Sequence, residues 1–183
     1  HRRMDRLITL TPRQGAQVLR CIPFPLENTR VIPNSIDPSR FSPGRRSELV
    51  RASLGATADE FLIGLVGRLD PQKGQREAIE ALAKTASTSK MKLRLALVGD
   101  PTPDSGTAYL ELLKKTAHKL GVSDQVTFAG FRSDIPEVMA SLDLFLLNSY
   151  REAFGFVLVE AMMSGTPVIA TDSGGVPDVV GEG

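Results

Sequence analysis

From Phe61 onward the sequence alternates short apolar runs with amphipathic stretches, and this alternation narrows the fold more than any single motif. Phe61 to Gly67, Leu93 to Gly99, Val126 to Ala129, Leu144 to Leu147 and Val168 to Thr171 read as strands. Between them lie helical stretches: Gln75 to Thr85, with Ala78, Ile79 and Leu82 inward, and Ala108 to Leu120, ended by Gly121. Ser133 to Ser141, with Ser133 as cap, and Phe156 to Ser164, closed by Gly165, complete the set. Strands that alternate with helices form a parallel sheet whose faces are both covered. The expected class is therefore α/β, a Rossmann-like parallel sheet with helices on both faces. All its βα turns emerge on one edge, which carries Arg68, Asp100, Phe131, Arg132 and Glu152.

The first part of the chain has a different character. Asp5 to Leu10 alternates like a strand, and Thr11-Pro12 opens a helix through Ile22. One strand and one helix bury no core. Pro23, Pro25, Pro33, Pro38 and Pro43 then rule out regular structure, apart from an extended piece at Val31 to Asn34. Residues 1–30 are expected to be the remnant of another domain, 31–46 a linker and 47–183 the sheet domain. His1 is not an initiator, so the chain is expected to start inside a longer protein.

Composition excludes several classes. A net charge of +1 carries no nucleic-acid signature. The single cysteine, Cys21, permits no internal disulfide and suits a reducing compartment, so the expected location is cytoplasmic. No apolar run approaches the roughly 20 residues of a membrane span. Arginines cluster early, including Arg2, Arg3, Arg6, Arg13, Arg20, Arg30 and Arg40, as a solvated face or as a patch for an acidic or membrane surface. His1, His118 and Cys21 form no metal site, and no Asp-x-Asp pair is present to hold a metal–diphosphate. There is no Gly-x-Ser-x-Gly elbow, and no Gly-x-Gly-x-x-Gly follows a strand.

Chemistry concentrates where strands hand over to helices. Glu152 to Phe156 follows the strand Leu144 to Leu147 and opens a helix, where open α/β sheets bind ligands. Gly155 lets an anion approach the free N–H groups of that helix start. Glu160 is a lone carboxylate among Val157, Leu158, Val159, Ala161, Met162 and Met163. It is costly there unless hydrogen-bonded, either by a vicinal diol such as ribose or by a neighbouring loop. Arg68 and Lys73 converge on the start of the next helix, as a clamp for a diphosphate or as a solvated loop. The order Lys73-Gly74 excludes a P-loop. Gly130-Phe131-Arg132 follows the third strand, and Asp100 stands beside Pro101 and Pro103 as a loop cap.

Glu152 and Glu160, with seven residues between them, Phe154-Gly155 inside and Ala161-Met162 after, resemble the nucleotide-sugar site of family-4 (group 1) retaining glycosyltransferases. The likeness continues through Gly165 to Thr171 and Gly174-Gly175, and covers nearly the whole chain after Val31. It implies the C-terminal, donor-binding half of a GT-B architecture and the transfer, with retention, of a sugar from a nucleotide diphosphate. The resemblance puts Arg68 and Lys73 at the diphosphate, Glu152 at the sugar and Glu160 at the ribose. It places Gly130-Phe131-Arg132 against the base, and Phe154, Gly155 and Phe156 along the donor. The catalytic set it implies is Glu152, Arg68 and Lys73, with no metal and no cofactor beyond the donor itself. The acceptor is a glycan, lipid or small molecule. It is held mainly by the missing N-terminal domain, through which contact with the inner face of a membrane is also expected. This chain alone is expected to be inactive, and truncated at its C-terminus. A nucleotide-sugar epimerase and a non-catalytic binding module are the alternatives. The family usually has Glu where this chain has Asp178, and Gly where it has Ser35.

Overall fold

The computed structural model describes residues 4–102 and 107–181; Arg2, Arg3 and Pro103 lie outside the described residues. In chain order the elements are β1 (Leu7–Thr9), α1 (Pro12–Cys21), β2 (Thr29–Val31), α2 (Glu48–Ser53), β3 (Glu60–Val66), α3 (Gln75–Ala86) and β4 (Lys92–Val98). Then follow α4 (Ala108–Lys119), β5 (Val126–Gly130), α5 (Ile135–Ser141), β6 (Leu144–Leu147), α6 (Phe156–Met163), β7 (Val168–Ala170) and α7 (Val176–Val180).

Strands β3 to β7 make one parallel sheet in the order β5-β4-β3-β6-β7. Period-two alternation sorts their side chains onto two faces. Leu62, Val66, Ala96, Val98, Phe145 and Leu147 pack with Val138 and Met139 of α5 and Leu158 and Ala161 of α6. Leu65, Leu93, Leu95 and Leu97 pack with Ile79 and Leu82 of α3 and Leu113 of α4. Each fully buried Leu or Ile contributes about 1.5–3 kcal/mol relative to exposure. Those contacts hold the sheet between its two helical layers.

One reading from sequence is corrected. The cap of α5 is Asp134, not Ser133, and no side chain bonds that helix start; the Asp134 carboxylate is taken by Arg132 instead. Asp100 Oδ1 accepts the Phe131 N–H at 3.1 Å and ties the end of β4 to the turn after β5.

Helix α2 has no counterpart in the sequence reading. Arg51, its last basic residue, is 3% exposed. Its guanidinium donates to Asp143 Oδ2 at 2.8 Å and to the carbonyls of Ser141 and Glu60, both at 2.9 Å. Asp143 also accepts the Leu62 N–H, so a buried guanidinium and a partly buried carboxylate pin α2 across the starts of β3 and β6.

The first segment is more ordered than one strand and one helix. β1 pairs in parallel with β2, Leu7↔Thr29 through Thr9↔Val31, so the extended piece begins before Val31 and has a partner. Thr11 caps α1 by accepting from Gln14 N–H. Asp178 of α7 then accepts the Arg13 N–H at 2.7 Å, and Arg13 Nη1 reaches Asp172 at 2.6 Å. These bonds dock α1 on the turn between β7 and α7.

Candidate functional site

The order of the sheet reverses between β3 and β6. Their ladder ends at Gly64↔Phe145, so a crevice opens beyond the C-terminal ends of both strands, the usual ligand position in such sheets. Two loops meet there. One runs from β3 to α3 and carries Arg68 and Lys73. The other runs from β6 to α6 and carries Glu152 and Gly155.

Lys73 and Glu152 are in direct contact, Nζ to Oε2 at 2.8 Å, with their side chains 25% and 16% exposed. Several bonds fix this arrangement. Asp70 caps the turn Pro71–Lys73 by accepting the Gln72 N–H. The buried Gln75 donates to the Arg68 carbonyl at 2.7 Å. Asn148, just after β6, donates to the Gly74 carbonyl at 2.9 Å and joins the two loops. On the far side the Gly175 N–H donates to the Glu152 carbonyl at 2.9 Å. Gly174, at φ +57°, passes so close that a Cβ there would lie 1.9 Å from the same oxygen. The Gly174-Gly175 turn therefore backs the Glu152 main chain.

Helix α6 opens at Gly155, whose φ of +83° directs the chain into the helix. The N–H groups of Leu158 and Val159 return to the Gly155 carbonyl. Those of Phe156 and Val157 have no backbone acceptor among the described residues, as expected for the first turn of a helix. These two donors lie one loop away from Lys73.

Other expected site residues are more dispersed. Arg68 is exposed and lines a separate recess of about 320 Å³ with Asp100, Phe131 and Arg132, between the ends of β3 and β4. Phe131 is 74% exposed there. Arg132 is engaged: Nε donates to Asp134 at 2.7 Å and Nη1 to Ser53 at 3.0 Å. The hydrogen bond to Asp134 raises the Arg132 pKa and lowers that of its partner. Phe154 is 7% exposed, meets Phe156 edge-on at 5.6 Å between centroids, and faces a groove under Thr11 and Val31. Glu160 is half-buried on α6, and among the described residues its carboxylate has no hydrogen-bond or ion-pair partner. Burial pushes its pKa up, with Arg40 opposing. Among the described residues no neighbouring loop supplies the Glu160 carboxylate with a donor.

A cavity of about 670 Å³ opens in front of Glu152. One wall is Gln14 and Gln17 of α1; the other is the loop of Tyr150 to Ala153 and the turn of Asp172 to Gly174. Sequence reasoning missed this wall and Asn148. The one signal for Asn148 was an amide closing the apolar run Leu144–Leu147.

Residues 47–183 match the family described as glycosyl transferases group 1. The chain is 33% identical over 182 residues to a D-inositol 3-phosphate glycosyltransferase of Nocardia farcinica, covering 98% of this chain and 40% of that protein. Among solved structures it is similar to Anabaena HepE in complex with UDP and glucose (36% identity, TM-score 0.85, 100% of this chain and 48% of that one). It is also similar to WaaG, a glycosyltransferase involved in lipopolysaccharide biosynthesis (32% identity, TM-score 0.80, 96% and 46%). The chain thus spans less than half the length of these relatives. With the sheet order, the switch-point crevice and the family match in agreement, the chain belongs to the group 1 glycosyl transferases and carries the C-terminal, Rossmann-like half of their GT-B fold.

Proposed function

We propose that this chain is the donor-binding half of an enzyme that transfers a sugar, with retention, from a uridine diphosphate sugar to a hydroxyl acceptor. The observation that carries this reading is the Lys73–Glu152 pair at the switch point, beside the open first turn of α6. A cation and free amides suit a diphosphate, and a carboxylate beside them suits sugar hydroxyls. The UDP and glucose bound to Anabaena HepE support the choice of donor.

In this reading the diphosphate takes up Lys73 and the amides of Phe156 and Val157. Arg68 approaches it from the β3–β4 side. As the glycosidic bond breaks, negative charge grows on the leaving diphosphate, and these fixed donors stabilise it without reorganising. Glu152, released from Lys73, accepts hydrogen bonds from the sugar and holds it with the face that carries the leaving diphosphate toward the acceptor, as retention requires. Glu160 accepts from the ribose hydroxyls, which gives its unpartnered carboxylate a role. The recess lined by Phe131 and Arg132 takes the base. No metal is required, because cations and amides already meet the diphosphate. Residues 1–183 alone are expected to bind donor but not to transfer sugar.

Calorimetric titration with UDP, GDP, ADP and UDP-glucose, with and without EDTA, tests the proposal. Binding of UDP and UDP-glucose that is unaffected by EDTA is expected. No binding of any nucleotide, or binding only with a divalent cation, overturns it.

A further inference from the structure

We propose that Tyr150 and Glu77 are a positioning pair for Glu152: their hydrogen bond holds the loop between β6 and α6 against α3 once a donor has drawn Lys73 away, and so sharpens the distinction between a uridine diphosphate sugar and UDP. This rests on the donor reading above, in which Glu152 leaves Lys73 and accepts from the sugar.

Tyr150 precedes Glu152 in the loop after β6 and is tied through both backbone and side chain. Its N–H donates to the Gln72 carbonyl at 2.9 Å, its own carbonyl accepts from Ser173 Oγ at 2.6 Å, and its phenol donates to Glu77 Oε1 at 2.9 Å. Gln72 adjoins Lys73, and Glu77 lies in the first turn of α3, just after the Lys73 turn. These bonds therefore join the two loops beside the Lys73–Glu152 contact without passing through it. Packing does not fix the ring. Tyr150 is 61% exposed and borders the cavities of about 670 and 360 Å³, and a third of about 240 Å³ that Glu77 also lines. With open space around it, the ring takes its direction from the phenol bond. The dependence is mutual. Among the described residues Tyr150 is the one hydrogen-bond partner of the Glu77 carboxylate, and Glu77 Oε2 is buried with none.

In the free chain Lys73 holds Glu152, so the phenol bond is redundant there. A diphosphate that takes Lys73 removes the ion pair and leaves Glu152 to the ties of its own loop. The bonds from Asn148 to the Gly74 carbonyl and from the Gly175 N–H to the Glu152 carbonyl remain in any variant of Tyr150. The phenol bond joins two side chains, so it can be cut without touching the backbone. Its contribution to placing the sugar is then read directly. The same contact has a signature that needs no donor. The hydrogen bond to Glu77, and then the Glu77 charge, push the Tyr150 pKa above the ordinary 10.0, with Arg76 opposing and Glu80 adding. The chain has two tyrosines and no tryptophan, and the other, Tyr109, is pushed up to about 12, mainly by burial. The Tyr150 phenol can therefore be followed on its own.

The test has two arms. The first is ultraviolet titration of the phenols without donor, with Tyr150→Phe to assign the signal. Tyr150 is expected to titrate above 10.0 and to fall in Glu77→Gln, which keeps an acceptor but loses the charge. An ordinary value that Glu77→Gln does not move overturns the proposal. The second arm compares UDP with UDP-glucose by calorimetry. Tyr150→Phe and Glu77→Ala are each expected to cut the extra affinity of UDP-glucose over UDP about three- to tenfold, the range of one hydrogen bond, with UDP affinity unchanged. The double variant should lose no more than either single one, and Glu77→Gln should retain most of the increment. No loss, equal losses for both ligands, or losses that add in the double variant overturn the proposal. An unaltered chain that binds UDP but gains nothing from the glucose removes the sugar role of Glu152, and the pair's role with it. Failure of the unaltered chain to bind UDP at all overturns the donor reading instead, and the phenol titration then still reports whether the contact exists.

Discussion

Lys73 Nζ donates to Glu152 Oε2 at 2.8 Å across the reversal of strand order, joining two residues that are 79 positions apart in sequence. The pair is partly exposed, so it is worth about 1 kcal/mol or less to stability. Its interest lies in competition. In the proposed function, phosphate oxygens compete with Glu152 for the same cation, and sugar hydroxyls take the carboxylate once it is released. Lys73→Ala is expected to weaken UDP binding about tenfold, the loss of one charged hydrogen bond. Glu152→Gln should leave UDP affinity equal or tighter, because it removes the competitor, while abolishing any extra affinity of UDP-glucose over UDP. Calorimetry on the two variants decides this. If Glu152→Gln weakens UDP as much as Lys73→Ala does, the two residues do not divide the donor in this way.

Gly174→Ala probes the support behind Glu152. The left-handed φ of +57° disfavours any L side chain by about 1–2 kcal/mol. The added Cβ also meets the Glu152 carbonyl oxygen at 1.9 Å, so the backbone must move. At roughly 2–4 °C per kcal/mol for a protein of this size, Tm should fall by several degrees, and sugar discrimination should fall with it. Gly44→Ala is the control, since a Cβ there meets only Ser42 Oγ at 4.0 Å. A Tm for Gly174→Ala equal to that of the control would show that the turn yields freely.

The Arg51–Asp143 tie predicts an acid-sensitive step. Burial pushes the Asp143 carboxyl up, but the Leu62 N–H and then the Arg51 and Arg46 guanidinium groups hold it below the ordinary value of 3.8. A lowered folded pKa means that its stabilisation is fully present above 3.8 and is lost as pH falls through the lowered value. Arg51→Met weakens that dependence and leaves the partly buried carboxylate with only Arg46 and the Leu62 N–H, at a cost of about 1.5–3 kcal/mol near neutral pH. Denaturant unfolding from pH 7 to pH 2 should therefore show the two proteins converging in stability as acid is added. Parallel pH curves for the two would remove the pair from the account of stability.

The sheet was legible because its strands are buried on both faces and so are nearly continuous apolar runs, as in Leu93 to Val98. Helix α2 was not, because Arg51 looks like a surface cation until Asp143, 92 residues away, is placed beside it. The same limit applies to the site. Lys73 and Glu152 were each legible as residues following strands, but their contact depends on β3 and β6 being neighbours. That is a property of strand order, which spacing does not encode. Phe154 and Phe156 have equal standing in the motif, yet one is 7% and the other 47% exposed, because Phe154 lies in the loop before α6 and Phe156 is the first residue of the helix, beyond the left-handed Gly155. The cavity wall from α1 was hidden for a simpler reason. Nothing local in Thr11 to Gln17 indicates that Asp172 and Asp178 will hold it.

Glu160 offers a test in which stability and binding move in opposite directions. Its carboxylate sits half-buried on an apolar helix, without a hydrogen-bond partner among the described residues, and burial raises its pKa above the ordinary 4.5 despite Arg40. Ionising it in the folded protein therefore costs free energy that the unfolded chain does not pay. Between 4.5 and the raised value the folded state holds more protons than the unfolded one, so stability falls as pH rises through that window. Glu160→Gln keeps the shape and removes the charge. At pH 7 the variant should be at least as stable as the unaltered chain, and its advantage should vanish below pH 4.5. UDP binding should weaken about tenfold in the same variant, because a charged acceptor for the ribose hydroxyls is lost. Scanning calorimetry at pH 7 and pH 4, beside UDP titration at pH 7, separates the two effects. A lower Tm at pH 7 with unchanged UDP affinity would mean that the carboxylate serves the fold rather than the nucleotide.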